Sequence, residues 1–301
     1  MNLTYRDIAF EHWQDCRLVS NGCIELVAPR SFGPRVMRCG FAGGQNLFKI
    51  FPDEGPGVRV RGGHRLWVAP ERKEVTWVLD NDPVEFENLE DGLRVVGTIE
   101  PATGLQKDLT IRFGARPDEV EIVHRIVNRN VWAIELAPWT LTQTAPGGVA
   151  FRGFPPRGKH PEMLLPTNPL VMWAYTKLGD PRWIWGERFF GLRQDPEATE
   201  PQKTGLFNVH SWTAYLLGNE IFFKYSKADP ALDYPDFGCS IELFTNRFMM
   251  ELETLGALTR LQPGESVEHT ERWILLRDVQ LTDFSDTQIA AALEPALERV
   301  L

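Results

Sequence analysis

Short runs of β-branched and aromatic residues, many alternating apolar and polar positions, recur along the whole chain. CIELVAP (23–29), RVMRCGF (35–41), LRVVGTI (93–99), DLTIRFG (108–114) and VEIVHRIVN (120–128) occupy the first half. LVMWAYT (170–176), WTAYLLG (212–218), EIFFKYS (220–226), CSIELF (239–244), FMMELETL (248–255) and RWILLR (272–277) follow. Most are bounded by Gly, Pro, Asn or Asp, so each is expected to form a strand. Gly218-Asn219 between two such runs predicts a tight hairpin turn. One convincing helix closes the sequence. Ser285 has Gln288 at capping-box spacing, and Ile289, Leu293, Leu297 and Val300 recur on one face. Pro295 inside that pattern is expected to kink or interrupt it, which makes the helix a packing or lid element. Roughly a dozen strands with almost no helix imply sheet packed on sheet or a closed barrel. The expectation is an all-β protein, one β-sandwich domain spanning 1–301. Long loops at 49–64, 151–168 and 194–209 are candidate binding elements.

Composition narrows the function more than the fold. Lys plus Arg number 32 against 41 Asp plus Glu, a net charge of −9 with a pI near 5.3. That balance argues against nucleic acid as a partner, because phosphate neutralisation needs a basic footprint. No run approaches the roughly 20 apolar residues of a membrane span, so no membrane partner is expected. The start, MNLTYRDIAFEHWQDC, lacks signal-peptide features, and a soluble cytoplasmic protein is the expectation. Cys16, Cys23, Cys39 and Cys239 form no C-x-x-C pair, which points to free thiols and to no structural metal. No cofactor is implied, and the oligomeric state is not legible.

Motifs for phosphate loops, zinc proteases and nucleophile elbows are missing. The densest polar–aromatic stretch is GGHRLWVAPE (62–71), with His64, Arg65, Trp67 and Glu71 after a glycine pair. Flat aromatic faces and charged side chains together suit sugar C–H surfaces and hydroxyls; the plainer reading is a core Trp67 and a surface Arg65–Glu71 pair. In ELAPWTLTQTAPGG (135–148), Thr140, Thr142 and Thr144 share one strand face and Gln143 takes the other. In FMMELETLG, Glu251 and Glu253 share a face. Two carboxylates on one face are costly if buried, so that face is wet or one of them is poised as a base. Glu242 in the preceding run falls under the same logic. NVHSW brings His210 beside Trp212, and Lys224 sits among aromatics, either snorkelling at an edge or entering an acidic pocket.

Together these pieces resemble the galactose mutarotase-like superfamily, and within it the branch known as DUF4380. The resemblance runs through PRVMRCGFAGGQNLF (34–48), GGHRLWVAPE, NPLVMWAYTKLGDPRWIWG (168–186) and the stretch 234–276. It implies a β-supersandwich of two large antiparallel sheets with a carbohydrate site on a concave face. The implied activity is that of an aldose 1-epimerase, interconverting sugar anomers by general acid–base catalysis with a glutamate and a histidine. Leu252-Glu253-Thr254 matches three positions of the family's L-E-T-Q-like strand, which makes Glu253 the candidate base. The H-x-Y-F-N segment that carries the family's catalytic histidine, near the middle of the sequence, has no counterpart here. His64 or His210 is left as the candidate acid. Arg65, Trp67, Glu71, Gln143, Trp212, Lys224 and Glu242 are the candidate sugar-binding residues. Two alternatives stay open: a non-catalytic sugar-binding or sensing protein, and a lyase or glycosidase on the same scaffold.

Overall fold

The computed structural model describes residues 3–52 and 60–301; the middle of the expected 49–64 loop lies outside them. Every apolar run named above contains a strand. The strands form antiparallel sheets of ten, eight and four strands. The eight-stranded sheet carries Gly63–Ala69, Ile134–Thr144, Met250–Leu255, Ile241–Thr245 and Gln202–Leu206 at its centre. The ten-stranded sheet includes Glu119–Asn128, Ser266–Leu276, Glu220–Lys227 and His210–Leu217.

Alternation explains how the two large sheets meet. Leu66, Leu243, Met250 and Leu252 point inward and join Ile122, Ile126, Phe222 and Trp273 of the ten-stranded sheet in one core. Because the side-chain period is two, the intervening residues face outward as a set. Those are the residues that build the site described below.

The Gly218-Asn219 turn forms as expected, with Leu217 paired to Glu220 and Gly218 at φ +61. The terminal helix spans Asp286–Leu297, and the Ser285 side chain accepts from the Gln288 N–H. Ile289, Leu293 and Val300 bury against Trp212, Phe223 and Ile274 on the outside of the ten-stranded sheet. Contrary to expectation, the helix continues through Pro295. Pro295 and Ala291, whose carbonyl the proline leaves without an N–H, both lie on its exposed side, so the carbonyl is not buried without a partner.

The 194–209 segment also departs from the expected loop. It contains the strand Gln202–Leu206, paired with Ile241–Thr245. Gly62 and Gly63 have φ of +93 and +71, and a Cβ on Gly62 would lie 1.8 Å from the Lys49 carbonyl oxygen. Only glycine permits this entry into the strand that presents Arg65 and Trp67. All four cysteines are free. No helix among the described residues is long and apolar enough to cross a membrane.

Candidate functional site

The outward face of the eight-stranded sheet is polar and aromatic, and strand register arranges it in three rows. Leu255, Trp139 and Trp67 form the first, as successive cross-strand partners. Glu242, Glu253, Leu141 and Arg65 form the second. Lys203, Phe244, Glu251, Gln143 and Gly63 form the third.

Side chains knit these rows together. Glu253 Oε2 accepts from Trp139 Nε1 at 2.8 Å and from Lys203 Nζ at 2.9 Å. Lys203 Nζ also lies 2.7 Å from Glu242 Oε2 and over the rings of Trp139 and Trp173, 4.7 and 4.6 Å from their centroids. Gln143 Nε2 donates to Glu251 Oε1 at 2.6 Å. The Arg65 guanidinium lies 3.8 Å from the Trp67 ring centroid, and Trp67 meets Trp139 edge-on. Beside them is a cavity of about 160 Å³ lined by Val60, Arg65, Trp67, Trp77, Val78 and Leu79. Three acceptors on this face, Glu253 Oε1, Glu242 Oε1 and Gln143 Oε1, are buried without a hydrogen-bond partner. Buried acceptors left open are expensive, so a donor from outside the protein, water or a ligand group, is what would satisfy them.

Charge on this face is finely divided. Burial, reinforced by Glu253, raises Glu251 to about 7, against the pull of its Gln143 hydrogen bond. Burial also pushes Glu242 well up, opposed by Lys203 and reinforced by Glu253 and Asp236. Burial opposes the Lys203 charge, but Glu242 and Glu253 outweigh it and hold the ammonium well above its ordinary value. Lys203 is thus a fixed cation. Arg65, pulled down to about 9 by burial and Arg35, is a second one at neutral pH.

The expected pairing of Glu253 with His64 does not form. Successive strand residues take opposite faces, so His64 points inward while Arg65 points outward. His64 belongs to a closed network between the sheets. Its Nε2 meets His124 Nε2 at 2.7 Å and its Nδ1 meets Thr142 Oγ1 at 2.8 Å. His124 Nδ1 faces the His269 carbonyl at 2.8 Å and must carry a proton. A neutral His124 then accepts at Nε2 from the His64 Nε2–H, and His64 Nδ1 accepts from the Thr142 hydroxyl. Lys224 is here too, with Nζ 2.9 Å from Glu271 Oε1 and donating to Thr140 and Thr142. Its alternatives resolve in favour of an acidic interior, and it is not a sugar contact. His64, His124 and Glu271 resemble a metal-ligand set. Yet Glu271 Oε1 already accepts from Lys224, Thr140 and Thr254 and Oε2 from Trp273, and the buried Lys224 ammonium already balances the carboxylate charge.

His210 and Trp212 are likewise misplaced as site residues. They lie on the far face of the ten-stranded sheet: His210 stacks on Tyr225, and Trp212, 4% exposed, stacks on Phe223 beneath the terminal helix. Glu71 stands past the end of its strand, exposed, and accepts from Trp77 Nε1 at 2.8 Å. Arg65, Trp67, Gln143, Glu242 and Glu253 are the candidates brought together on one face.

No protein-family model matches the chain, and neither does any curated protein. Solved structures do. A galactose mutarotase related enzyme from Lactobacillus acidophilus aligns over 87% of this chain and 98% of its own, with 9% identity and a TM-score of 0.56. A galactose mutarotase-like protein from Lactobacillus casei aligns over 87% and 100%, with 8% identity and a TM-score of 0.54. A third, from Clostridium acetobutylicum, aligns over 91% and 98%, with 9% identity and a TM-score of 0.54. The fold is galactose mutarotase-like. At such identities the likeness is one of architecture alone.

Within this galactose mutarotase-like sandwich, sequence reasoning missed Lys203 and Trp173, and it left Trp139 of the 135–148 stretch out of the candidate sugar-binding residues. Lys203 was hidden in a stretch expected to be loop; the alternation in Gln202–Leu206, with Lys203 and Gly205 on one face, was the available signal.

The interior network predicts an acid-sensitive fold. Burial lowers His64 and His124 and takes His269 down to about 3, so the unfolded protein binds protons first below about pH 6.5. Glu251, raised in the fold to about 7, acts in the opposite sense between about pH 4.5 and 7, and Glu242, also raised, acts in that same sense above about pH 4.5. Below about pH 4.5 the unfolded carboxyls protonate too, and the imidazoles dominate. The Glu271 carboxylate adds to the same loss: burial would raise it, but the Lys224 ammonium holds it well below the usual range. Stability should fall gently from pH 6.5 to 4.5 and steeply below, by about 1.4 kcal/mol per pH unit for each unmatched proton. Urea midpoints across pH 3.5–7.5 measure this; a flat profile would contradict the neutral imidazoles.

Proposed function

We propose that this chain is a carbohydrate-active protein of aldose 1-epimerase type, acting on small soluble sugars in the cytoplasm, with Glu253 as general base. By motif resemblance, its place in the superfamily is the DUF4380 branch. One observation carries the reading. Glu253 Oε2 is anchored by Trp139 and Lys203 while Oε1 is buried with no partner, on a face with Trp67 and Arg65. An anchored carboxylate with one unengaged oxygen suits proton abstraction from an anomeric hydroxyl. Polarimetry on freshly dissolved aldoses, run against the spontaneous rate, tests it directly.

Non-catalytic sugar binding is the second reading, and one observation favours it. Glu253 has no exposed surface, so a sugar reaches it only if Lys203 or the side chains above it shift. Sugar binding without acceleration of any aldose would select this reading.

Either reading assigns the aromatic platform to Trp67, which lines the cavity, rather than to buried Trp212. Tryptophan fluorescence should change saturably with sugar. Trp67→Ala should weaken binding by about 1–2 kcal/mol, the scale of a lost aromatic anchor, with the fold intact. Unchanged affinity would move the sugar off this face.

A further inference from the structure

We propose that Glu251 is the proton donor that works with Glu253, supplying the acid that no histidine supplies. The inference rests on the epimerase reading and deepens it. Glu251 and Glu253 are two residues apart on one strand and share its outward face, which puts their backbones about 6.8 Å apart. Two carboxyl groups serving one anomeric centre, one as acid and one as base or nucleophile, are an established pairing in glycoside hydrolysis. The two reacting oxygens of an aldose, the C1 hydroxyl and the ring oxygen, both sit on that one carbon.

The three glutamates of this face are not equivalent. Lys203 bridges Glu242 and Glu253 and leaves Glu251 without an ion-pair partner among the described residues. Without a paired cation, Glu251 has no ion pair to lose when it carries a proton. Glu251 also retains 8% exposure where the other two have none, which makes it the carboxyl nearest an entering ligand. Gln143 holds Glu251 Oε1 and so fixes the orientation of the carboxyl group. The four imidazoles carried by strands of the two large sheets cannot serve instead: His64, His124 and His269 lie between the sheets, and His210 lies on the far face of the other sheet. The raised Glu251 carboxyl, about 7, agrees with the geometry.

The step balances without a co-reactant. Glu253 carboxylate takes the proton from the C1 hydroxyl, the oxygen's electron pair forms the C1 carbonyl, and the bond from C1 to the ring oxygen breaks. The released pair on the ring oxygen takes the proton from Glu251. After rotation about C1–C2, the hydroxyl attacks the other carbonyl face. Glu251 recovers its proton, Glu253 returns its own to the C1 oxygen, and both groups are reset.

The test uses Glu251→Gln and Glu253→Gln in the full-length protein, with urea midpoints confirming that each is folded. Expected for Glu251→Gln is a loss of about 10²- to 10⁴-fold in polarimetric rate, with sugar affinity kept within a few-fold. The wild-type rate should also fall above about pH 7 as Glu251 loses its proton, a limb a merely structural role would not produce. Carbon-13 titration of the glutamate carboxyls should find Glu251 ionising well above the ordinary range and moving down in Glu253→Gln. A Glu251→Gln protein as fast as wild type, or a Glu251 carboxyl titrating in the ordinary range, overturns this inference and leaves the Glu253 reading standing. Full activity in Glu253→Gln overturns the epimerase reading itself. Sugar binding with no acceleration by the wild type overturns both.

Discussion

Glu271→Gln is expected to destabilise the protein by about 3–5 kcal/mol, the cost of leaving a buried charge without its partner. Lys224 is fully buried, and its ammonium lies 2.9 Å from Glu271 Oε1. Glutamine keeps the shape of the side chain but removes the negative charge, and its amide group would also turn donors toward Lys224, Thr140 or Thr254. Set against a total stability of about 5–15 kcal/mol for an ordinary domain, such a loss is large. Lys224→Met leaves the carboxylate stranded and should cost a similar amount. The double variant should cost less than the sum, because each single change exposes the same unpaired partner. It should not return to wild type, since the Thr140, Thr142 and Thr254 hydroxyls keep their need for partners. Urea unfolding of the four proteins measures the cycle. An additive double variant would mean that the pair does not interact, and the network would need a different account.

Strand alternation made much of this molecule legible. It predicted the sheets, the shared face of Glu251 and Glu253, and the split that sends Thr140 and Thr142 inward and Gln143 outward. Applied to GGHRLW, the same rule separates His64 from Arg65 and Trp67. Reading that stretch as one polar cluster, instead of two faces of a strand, is what put His64 into the site. Other failures were of a different kind. Whether His210 and Trp212 face the site depends on which side of the ten-stranded sheet the terminal helix covers, and that is decided by contacts distant in sequence. Lys203 was lost because QKTGL is short and weakly apolar, so its strand is held by pairing with Ile241–Thr245 rather than by its own propensity. The buried network was invisible for a similar reason. Its members come from strands of both large sheets, and each alone looks like an ordinary polar residue.

Glu253→Gln should abolish most of the activity while leaving the site assembled. Glutamine can still accept from Trp139 Nε1 and Lys203 Nζ through its amide oxygen, so the two contacts that orient residue 253 survive. What disappears is the proton acceptor, and losing a positioned base typically costs about 10²- to 10⁴-fold in rate. One electrostatic consequence is separable from the chemistry. Glu253 helps to raise both Glu251 and Glu242, so its neutralisation should let both carboxyls titrate lower. Lys203 would keep Glu242 as its remaining carboxylate partner, and the fold should therefore tolerate the change. Sugar affinity is expected within a few-fold of wild type, read by tryptophan fluorescence, with the polarimetric rate reduced toward the spontaneous one. Glu242→Gln is the matched control: it removes the other carboxylate bound to Lys203 without touching the candidate base. A comparable rate loss in Glu242→Gln would show that the charge balance around Lys203, rather than proton abstraction by Glu253, is what the activity needs.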